Sequence, residues 1–488
     1  MFTLLRFKVE HKGNTLYDCE FSDKEKHRRE QILTSLVIGE NGSGKSFLLA
    51  TIADFFRHLV AHIHRAPTQS SVPPFKYESV ELAYQIGDAR FEVKKIKNEF
   101  VSRRNGDPID LTRLTLPGRV IALSFITNDK FAFSPDTDGF YSYLGVRATG
   151  NATYTSTIEK RLCSHISAIA KSESKISKLW DIIAFLEIEK RVTIRHALER
   201  KTLFRTEPSR KTIERALEKA SQRKRYLSND LRGVSGQDIN LIIENIRKLK
   251  ARHFAKTGAI EYEIDAHASG MGIGAEELAT LGILENIEFI APPAAVFTKK
   301  DGFGFAHTSS GEKNILYTMT SLLSAIVPDS LVLIDEPEIS LHPAWQMRYV
   351  NLLKNILKNY SDGHCILATH SHFMVSDIEP ADSDLITVSK NVDGENSSRS
   401  FRRLEHSTYA WSAENILYQV FNLRTTRNYY FERELTELLE LVASRSPEQA
   451  RIRELVTKFS SLVFDENDPI NIVIEQSREY LATYDQAN

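Results

Sequence analysis

The chain has few cysteines, no long apolar run and almost no net charge. Its three cysteines, Cys19, Cys163 and Cys365, are far apart and show no C-x-x-C spacing, which predicts reduced, buried thiols. No apolar run approaches the roughly 18 residues of a membrane helix, and the first residues lack a signal-peptide core, so we expect a cytoplasmic protein without a membrane partner. A net charge of −1 means that any nucleic acid would have to bind a local basic patch.

The length and the order of the predicted elements indicate an α/β protein with additional helical parts. A chain of 488 residues is too long for one simple core. Predicted strands alternate with helices in the first 150 residues and again in residues 301–408, which predicts a mixed, mostly parallel sheet. Predicted hairpins within the first 150 residues indicate an antiparallel β-subdomain. We predict four segments: 1–150, the first half of an α/β domain; 151–300, a helical, basic insertion forming a short arm; 301–408, the second half; and 409–488, an all-helical C-terminal region.

A phosphate-binding loop is the clearest motif. Residues 39–46 read GENGSGKS and match G-x-x-x-x-G-K-[ST], between a buried strand and a helix. Glycines allow backbone N–H groups to surround a phosphate, and the helix N-terminus adds partial positive charge. Lys45 would contact the β- and γ-phosphates, and the Ser46 hydroxyl would bind Mg²⁺. The predicted nucleotide contacts are Gly39, Asn41, Gly42, Gly44, Lys45 and Ser46.

Two acidic residues directly follow the apolar run LVLI and form a second nucleotide signature. Asp335, at the end of the predicted strand, would bind Mg²⁺. Glu336 would polarise the attacking water as a general base. The alternative, an acidic turn after a core strand, is weakened by the presence of the phosphate-binding loop in the same chain.

These motifs, together with two others, resemble those of ABC-type ATPases, with ATP and Mg²⁺ as the implied ligands. Residues 308–312, TSSGE, resemble the L-S-G-G-Q/E signature, although Thr308 and Ser310 depart from it. His370 follows a core strand, where the resemblance implies a switch histidine that contacts the γ-phosphate. The signature residues that would bind nucleotide are Ser309, Ser310, Gly311 and Glu312. The alternatives are a Ser N-cap with Glu and a surface histidine.

The same resemblance implies an assembly of several chains. One phosphate loop and one signature are present, and each would meet its counterpart on another chain, so at least a homodimer with ATP at its interface is implied. ABC-type ATPases usually have a glutamine at the position that here would follow the predicted strand ending at Phe125. Asn128 or Asp129 takes that position in this sequence. Which of the two replaces it stays open at this stage.

A narrower resemblance indicates the branch of the family. The sequence DEPEISLHP at 335–343, with ATHS at 368–371, resembles SMC-related ATPases of prokaryotic defence. Residues 409–417 and 424–427 resemble the tail of the PtuA ATPases of Septu antiphage systems. This implies an ATPase that oligomerises and regulates a separate H-N-H nuclease, PtuB-like. The alternatives are an SMC-like ATPase that acts directly on DNA and a nucleotide-binding scaffold with little turnover.

The insertion contains a strongly basic stretch. Between residues 187 and 256 there are 19 Lys and Arg against 9 Asp and Glu. A helical arm with this excess could bind a nucleic-acid backbone. It could equally be a solvated helical face, and the sequence leaves both interpretations open.

Overall fold

The computed structural model describes most of the chain, which divides into two units, Met1–Ala413 and Glu414–Asn488. The described residues are 1–22, 32–64, 75–97, 99–134, 139–147, 155–200, 209–223, 236–256, 258–265, 272–298, 303–358, 362–376, 378–379, 381–393, 396–404, 408, 411–421, 427–444, 448–465 and 468–487. The tail resemblance therefore falls partly outside them, at 409, 410 and 424–426.

The elements of the first unit alternate along the chain as predicted for an α/β protein. Its strands are β1 (Phe2–His11), β2 (Asn14–Glu20), β3 (Leu33–Gly39), β4 (Ser79–Ile86), β5 (Ala89–Ile96), β6 (Glu99–Arg104), β7 (Asp107–Ile109), β8 (Val120–Ser124), β9 (Tyr141–Tyr143), β10 (Arg191–Ala197), β11 (Ala259–Asp265), β12 (Ala294–Phe297), β13 (Phe303–Gly304), β14 (Leu331–Asp335), β15 (His364–Thr369), β16 (Ser383–Asp393) and β17 (Asn396–Arg403). Its helices are α1 (Lys45–His64), α2 (Thr155–Ala170), α3 (Glu173–Phe185), α4 (Arg210–Arg223), α5 (Gly236–His253), α6 (Ala275–Asn286), α7 (Ser310–Ala325), α8 (Pro343–Leu357) and α9 (His372–Val375).

A seven-stranded sheet forms the centre of this unit, in the order β17-β16-β3-β15-β14-β8-β9. All neighbouring pairs are parallel except β16 and β17. The strands β3, β14 and β15 are buried along their whole length, as their mainly apolar sequences require when both faces are covered. Because parallel strands end at the same edge, the residues that follow these three strands are brought together.

A second, six-stranded sheet is antiparallel, with the order β2-β1-β4-β5-β6-β7. The predicted hairpin is confirmed: β4 and β5 pair around the turn at Gly87 and Asp88. Helix α1 packs its apolar side chains, such as Phe55 and Phe56, into a core shared by both sheets. The prediction of no membrane-length apolar segment needs one correction, because α1 is long and apolar enough by composition, with 56% of its apolar window buried in the domain.

The insertion contains helices, as predicted, and also strands that the sequence analysis did not predict. The strands β10, β11, β12 and β13 form an antiparallel sheet of order β11-β10-β12-β13. In β10 and β11, buried apolar residues alternate with charged ones, which is the pattern of a half-buried strand. The high charge of this stretch concealed that alternation, so the arm is a mixed α/β subdomain in its described part.

The C-terminal unit is helical throughout its described part, as predicted. It contains α11 (Tyr429–Ala443), α12 (Gln449–Ser460) and α13 (Ile470–Ala487), and α10 (Ala413–Gln419) lies at its start. Apolar residues at helical spacing, including Leu438, Ile452 and Phe459, form its own hydrophobic core. The α/β head with an antiparallel subdomain, an insertion and a helical C-terminal region is therefore confirmed as the fold class.

Candidate nucleotide-binding site

The predicted phosphate-binding loop joins β3 to α1. Strand β3 ends at Gly39 and the helix begins at Lys45. Gly42 and Gly44 have φ angles of 77° and 100°, a region that only glycine adopts without strain. The loop therefore places two glycines with left-handed backbone angles directly before a 20-residue helix, whose N-terminus favours an anion.

Lys45 lies within this loop, with 3% of its surface exposed. Its Nζ donates to the carbonyl oxygens of Gly39 at 2.8 Å and Glu40 at 3.0 Å, and lies 3.2 Å from Nδ1 of His370. Burial lowers the pKa of Lys45 to about 8, and the neighbouring carboxylates, Glu338 first, offset part of that decrease. The loop thus holds one buried cation whose charge a triphosphate would stabilise.

Asp335 ends β14 and is 2% exposed. The pKa of Asp335 is raised to about 7: burial is the largest cause, a hydrogen bond with Ser46 offsets part of it, and the carboxylates of Glu336 and Asp129 add to the increase. Its Oδ1 is a buried oxygen without a hydrogen-bond partner. This oxygen and the Ser46 hydroxyl fit Mg²⁺, which prefers oxygen ligands and usually completes its shell with phosphates and water.

The contribution of Mg²⁺ to ATP affinity should change across pH 7. Because the ionised form of Asp335 binds the cation, we expect the gain in affinity on adding Mg²⁺ to be large at pH 8. The gain should shrink as the pH falls through about 7, where the carboxyl becomes protonated. Titration of a fluorescent ATP analogue with Mg²⁺ or with EDTA at each pH measures this gain.

The variant Asp335→Asn is the control, because an amide does not titrate. If the gain in ATP affinity on adding Mg²⁺ keeps its pH dependence in this variant, the assignment of Asp335 is contradicted.

The raised pKa of Asp335 also affects stability. Since folding raises the pKa of Asp335 above the ordinary 3.8, the folded state loses stability as the pH rises from 3.8 to 7. We therefore expect Asp335→Asn to be more stable than the wild type at pH 8, by on the order of 2 kcal/mol.

Glu336 and His370 form a contact beside Lys45. The Nε2 of His370 lies 3.5 Å from Oε1 of Glu336, and its Nδ1 faces the Lys45 ammonium. The contact with His370 lowers the pKa of Glu336, so the carboxylate is ionised at neutral pH. Glu336 also has a φ of 48°, a sparsely populated region for a non-glycine residue, as is frequent at catalytic positions.

Glu338 is a member of this site that the sequence analysis did not assign. Its Oε1 accepts a hydrogen bond from the backbone N–H of His370, and burial raises its pKa. The contact fixes the backbone from which the histidine side chain projects. Glu338 is visible in the sequence as the second glutamate of the DEPE motif. Its contact with His370 could not be predicted, because His370 follows a different strand, β15.

The signature residues lie at the start of α7 and form a capping box. The Ser309 N–H donates to Oε2 of Glu312 at 2.8 Å, and the Glu312 N–H donates to the Ser309 hydroxyl at 3.2 Å. The alternative interpretation as an N-cap is therefore confirmed for these two residues within one chain. Ser309 and Ser310 are exposed, and none of the four hydrogen-bond partners of Lys45 lies in this segment.

Comparisons with known proteins agree with this geometry. The profile described as "AAA domain, putative AbiEii toxin, Type IV TA system" matches residues 195–376. The Septu protein PtuA of Bacillus thuringiensis is 31% identical over 182 residues, which are 33% of this chain and 45% of that protein. The chain has an α/β P-loop fold and resembles PtuA over these residues.

Protein ea59 of Escherichia phage lambda is 37% identical over 70 residues, which are 14% of this chain and 13% of that protein. The chain thus spans less than half the length of these curated relatives. Among solved structures, the SMC head domain from Thermotoga maritima covers 83% of this chain and 99% of its own, at 14% identity and a TM-score of 0.33. An SMC head bound to the C-winged helix domain of ScpA has 16% identity, coverages of 82% and 98%, and a TM-score of 0.32.

Helix α7, which begins at the predicted signature residues, contacts the loop that follows Asp335. Asn314 of α7 is fully buried, and its Nδ2 donates to the carbonyl oxygens of Pro337 at 3.2 Å and Ile339 at 2.7 Å. At Gly311, a Cβ would lie 2.7 Å from the carbonyl oxygen of Ser340. The segment 337–340 is thus packed directly on α7, through an asparagine that sequence reasoning missed.

The structure distinguishes Asn128 from Asp129. Asp129 is buried, and Arg147 binds both of its carboxylate oxygens at 3.0 and 2.7 Å. Tyr143 and the Phe131 N–H donate to the same carboxylate at 2.6 and 2.9 Å. These four donors engage Asp129 within its own chain, which favours the exposed Asn128 for the predicted position of the usual glutamine.

Ion pairs with a neighbouring strand neutralise part of the positive charge in the basic stretch 187–256. Arg191 and Arg195 of β10 form ion pairs with Asp265 at 3.0 Å and Glu261 at 2.6 Å on the neighbouring strand β11. These acids lie just outside the window 187–256, so the charge count overstated the local excess. Exposed basic residues remain in the described part both on α4, such as Lys211 and Arg215, and near the end of α5, such as Lys250, and their role in nucleic-acid binding stays a prediction.

Proposed function

We propose that this chain hydrolyses ATP between two copies of its head, as a defence ATPase of the PtuA kind that regulates a separate H-N-H nuclease. The observation that supports hydrolysis is the connected series Lys45–His370–Glu336 beside Asp335 and Ser46. A scaffold with little turnover has no need for an ionised glutamate held at this point, so this arrangement favours an enzyme.

Each side chain has a distinct task in the proposed reaction. Bound Mg²⁺, held by Ser46 and Asp335, would neutralise charge on the β- and γ-phosphate oxygens. Lys45 would exchange its loop carbonyl partners for phosphate oxygens. The carboxylate of Glu336 would accept the proton of the water that attacks the γ-phosphorus, while ADP leaves from the opposite side.

His370 would orient that base. Because Lys45 can only donate, the Nδ1 that faces it is an acceptor, and the Nε2 that faces Glu336 is then the protonated nitrogen. In this tautomer the imidazole donates to the carboxylate and accepts from the ammonium. The histidine would thus fix the direction of Glu336 and stabilise the charge that develops near the γ-phosphate.

The exposed start of α7 supports an ATP site that is shared between two copies of the chain. Ser309 and Ser310 present a helix N-terminus to solvent, and their own chain's Lys45 bonds to other groups. One phosphate loop and one signature per chain can complete two sites only in a symmetric pair, which is the commonest form of homodimer. ATP would therefore lie between Lys45 of one copy and Ser310 of the other.

A mixing experiment tests this composite site. Lys45→Ala and Ser310→Arg are each expected to abolish ATP hydrolysis when present in both copies of a dimer. When the two variants are mixed, a heterodimer contains one site with both defects and one intact site. We expect the mixture to recover about a quarter of wild-type phosphate release, because half of the dimers are mixed and one of their two sites works.

A mixture that remains as inactive as its components would contradict a site shared between chains. A Ser310→Arg variant with full activity on its own would contradict the role of α7. Light scattering with and without ATP gives the accompanying mass.

The nuclease partner is tested separately. The chain would be co-expressed with the protein of its neighbouring reading frame and purified as a complex, and DNA cleavage would be measured with and without ATP. We expect an H-N-H protein that cleaves in only one of the two conditions. Identical cleavage in both would contradict control by nucleotide, and DNA binding by this chain alone would favour the alternative of an ATPase that acts directly on DNA. Cytoplasmic localisation belongs to the same proposal.

A further inference from the structure

Arg399 of β17 lies against the phosphate-binding loop, although it is more than 350 positions away in sequence. A Cβ placed on Gly44 would lie 2.7 Å from Nε and 3.0 Å from Cζ of Arg399. The guanidinium therefore passes directly over the residue that precedes Lys45. The pairing of the strands explains this position, because β16 pairs with β3 up to Gly39, and Lys390, two residues beyond that point, pairs with Arg399.

We propose that Arg399 binds the α- and β-phosphates of the nucleotide. The inference rests on the proposed function, in that it assumes a nucleoside triphosphate on the loop. The motif itself supplies a lysine and backbone N–H groups, and β17 would add a second cation from the other half of the head. A guanidinium suits this role because it binds phosphate oxygens through two parallel hydrogen bonds.

The charge of Arg399 has no acidic partner among the described residues. Its guanidinium lies 5.6 Å from the ring centre of Tyr17, which contacts Phe401 of the same strand at 6.0 Å between ring centres. Arg403, on the same strand, instead has Asp384 at 3.7 Å. Arg399 is half-buried, so its positive charge lies over the Tyr17 ring at the edge of an anion-binding loop, with no carboxylate against it in the part of the chain that the structure describes.

The order of the strands determines which phosphates this arginine would contact. Asp335, Glu336 and His370 follow β14 and β15, which lie on one side of β3. Arg399 belongs to β17, on the other side of β3. The γ-phosphate is expected beside the catalytic glutamate, so Arg399 approaches the loop from the opposite side. Its contacts would therefore be with phosphates that ATP and ADP share.

Nucleotide affinity of matched variants tests the proposal. Arg399→Met keeps the length and apolar stem of the side chain but removes the charge, and Arg399→Lys keeps the charge. Arg402→Ala is the control, because Arg402 is exposed on the opposite face of the same strand. Binding of fluorescent ATP and ADP in Mg²⁺ is measured for each full-length variant, with thermal unfolding as the check on folding.

We expect Arg399→Met to weaken ATP and ADP by the same factor, about 10- to 100-fold, and Arg399→Lys to keep most of the affinity. Arg402→Ala should bind both nucleotides as the wild type does. Unchanged affinity in a folded Arg399→Met would overturn the proposal and leave a purely structural arginine. A loss restricted to ATP would overturn the assignment to the shared phosphates.

Failure of this proposal is distinguishable from failure of the proposed function. If wild-type protein binds no nucleotide, the proposed function itself fails. If wild-type binds ATP, Lys45→Ala does not, and Arg399→Met binds normally, only the inference about Arg399 fails.

Discussion

Replacing Glu336 with Gln is expected to stop ATP turnover while ATP remains bound. The amide keeps the size of the side chain but cannot accept the proton of the attacking water. Loss of a general base typically lowers the rate by about 10²- to 10⁴-fold. Because Lys45, Ser46 and Asp335 are unchanged in this variant, affinity for ATP should stay within a few-fold of the wild type. We therefore expect an ATP-loaded dimer that persists.

Phosphate release and light scattering with ATP measure the two consequences. Lys45→Ala is the matched comparison, because it should lose hydrolysis and ATP binding together. Equal phosphate release by Glu336→Gln and the wild type would refute the role of Glu336 as the base.

The variant His370→Ala tests the contact between His370 and Glu336. His370 is the main group that lowers the pKa of Glu336. Without it the pKa should rise, so the acid side of the pH–rate profile is expected to move to higher pH, in addition to a lower maximal rate. A reduced rate with an unshifted profile would indicate that the histidine acts on the phosphate alone.

The parts of the site that the sequence predicted are those contained in one continuous segment. The phosphate-binding loop, the acidic pair after β14 and His370 after β15 each follow a buried apolar strand. Parallel pairing brings such strand ends to one edge, so their proximity follows from strand order. Helix α8, Pro343–Leu357, is likewise determined by one continuous segment, because a proline begins it and its apolar residues keep helical spacing.

The parts that the sequence did not predict depend on contacts between distant segments. Asn314 could not be matched with Pro337 and Ile339 before the packing of α7 was known. Arg399 contacts the loop only because β17 pairs with β16, beside β3. The strands β10 and β11 were missed because cross-strand pairs such as Arg195 and Glu261 appear in the sequence only as charges. Composition cannot separate a paired charge from a free one.

Whether Asn128 or Asp129 takes the position of the usual glutamine also depends on a contact between distant segments, the ion pair of Asp129 with Arg147. The stability of an Arg147 variant tests this ion pair. In Arg147→Met the carboxylate of Asp129, which is fully buried, would lose its cation. Removing one partner of a buried ion pair typically costs about 3–5 kcal/mol. We expect a loss of that size in urea unfolding followed by circular dichroism, which would be among the larger effects of any single substitution in the head.

The double variant Asp129→Asn with Arg147→Met separates the lost charge from lost packing. Asparagine keeps an acceptor for the Phe131 N–H, and no unpaired charge remains, so the double variant should be more stable than Arg147→Met alone. Asn128→Ala should leave stability within about 0.5 kcal/mol of the wild type, since the residue is exposed, but should slow ATP hydrolysis. A double variant less stable than Arg147→Met would show that Asp129 is not held as a buried carboxylate, and Asp129 would then again be a candidate for contacting the nucleotide.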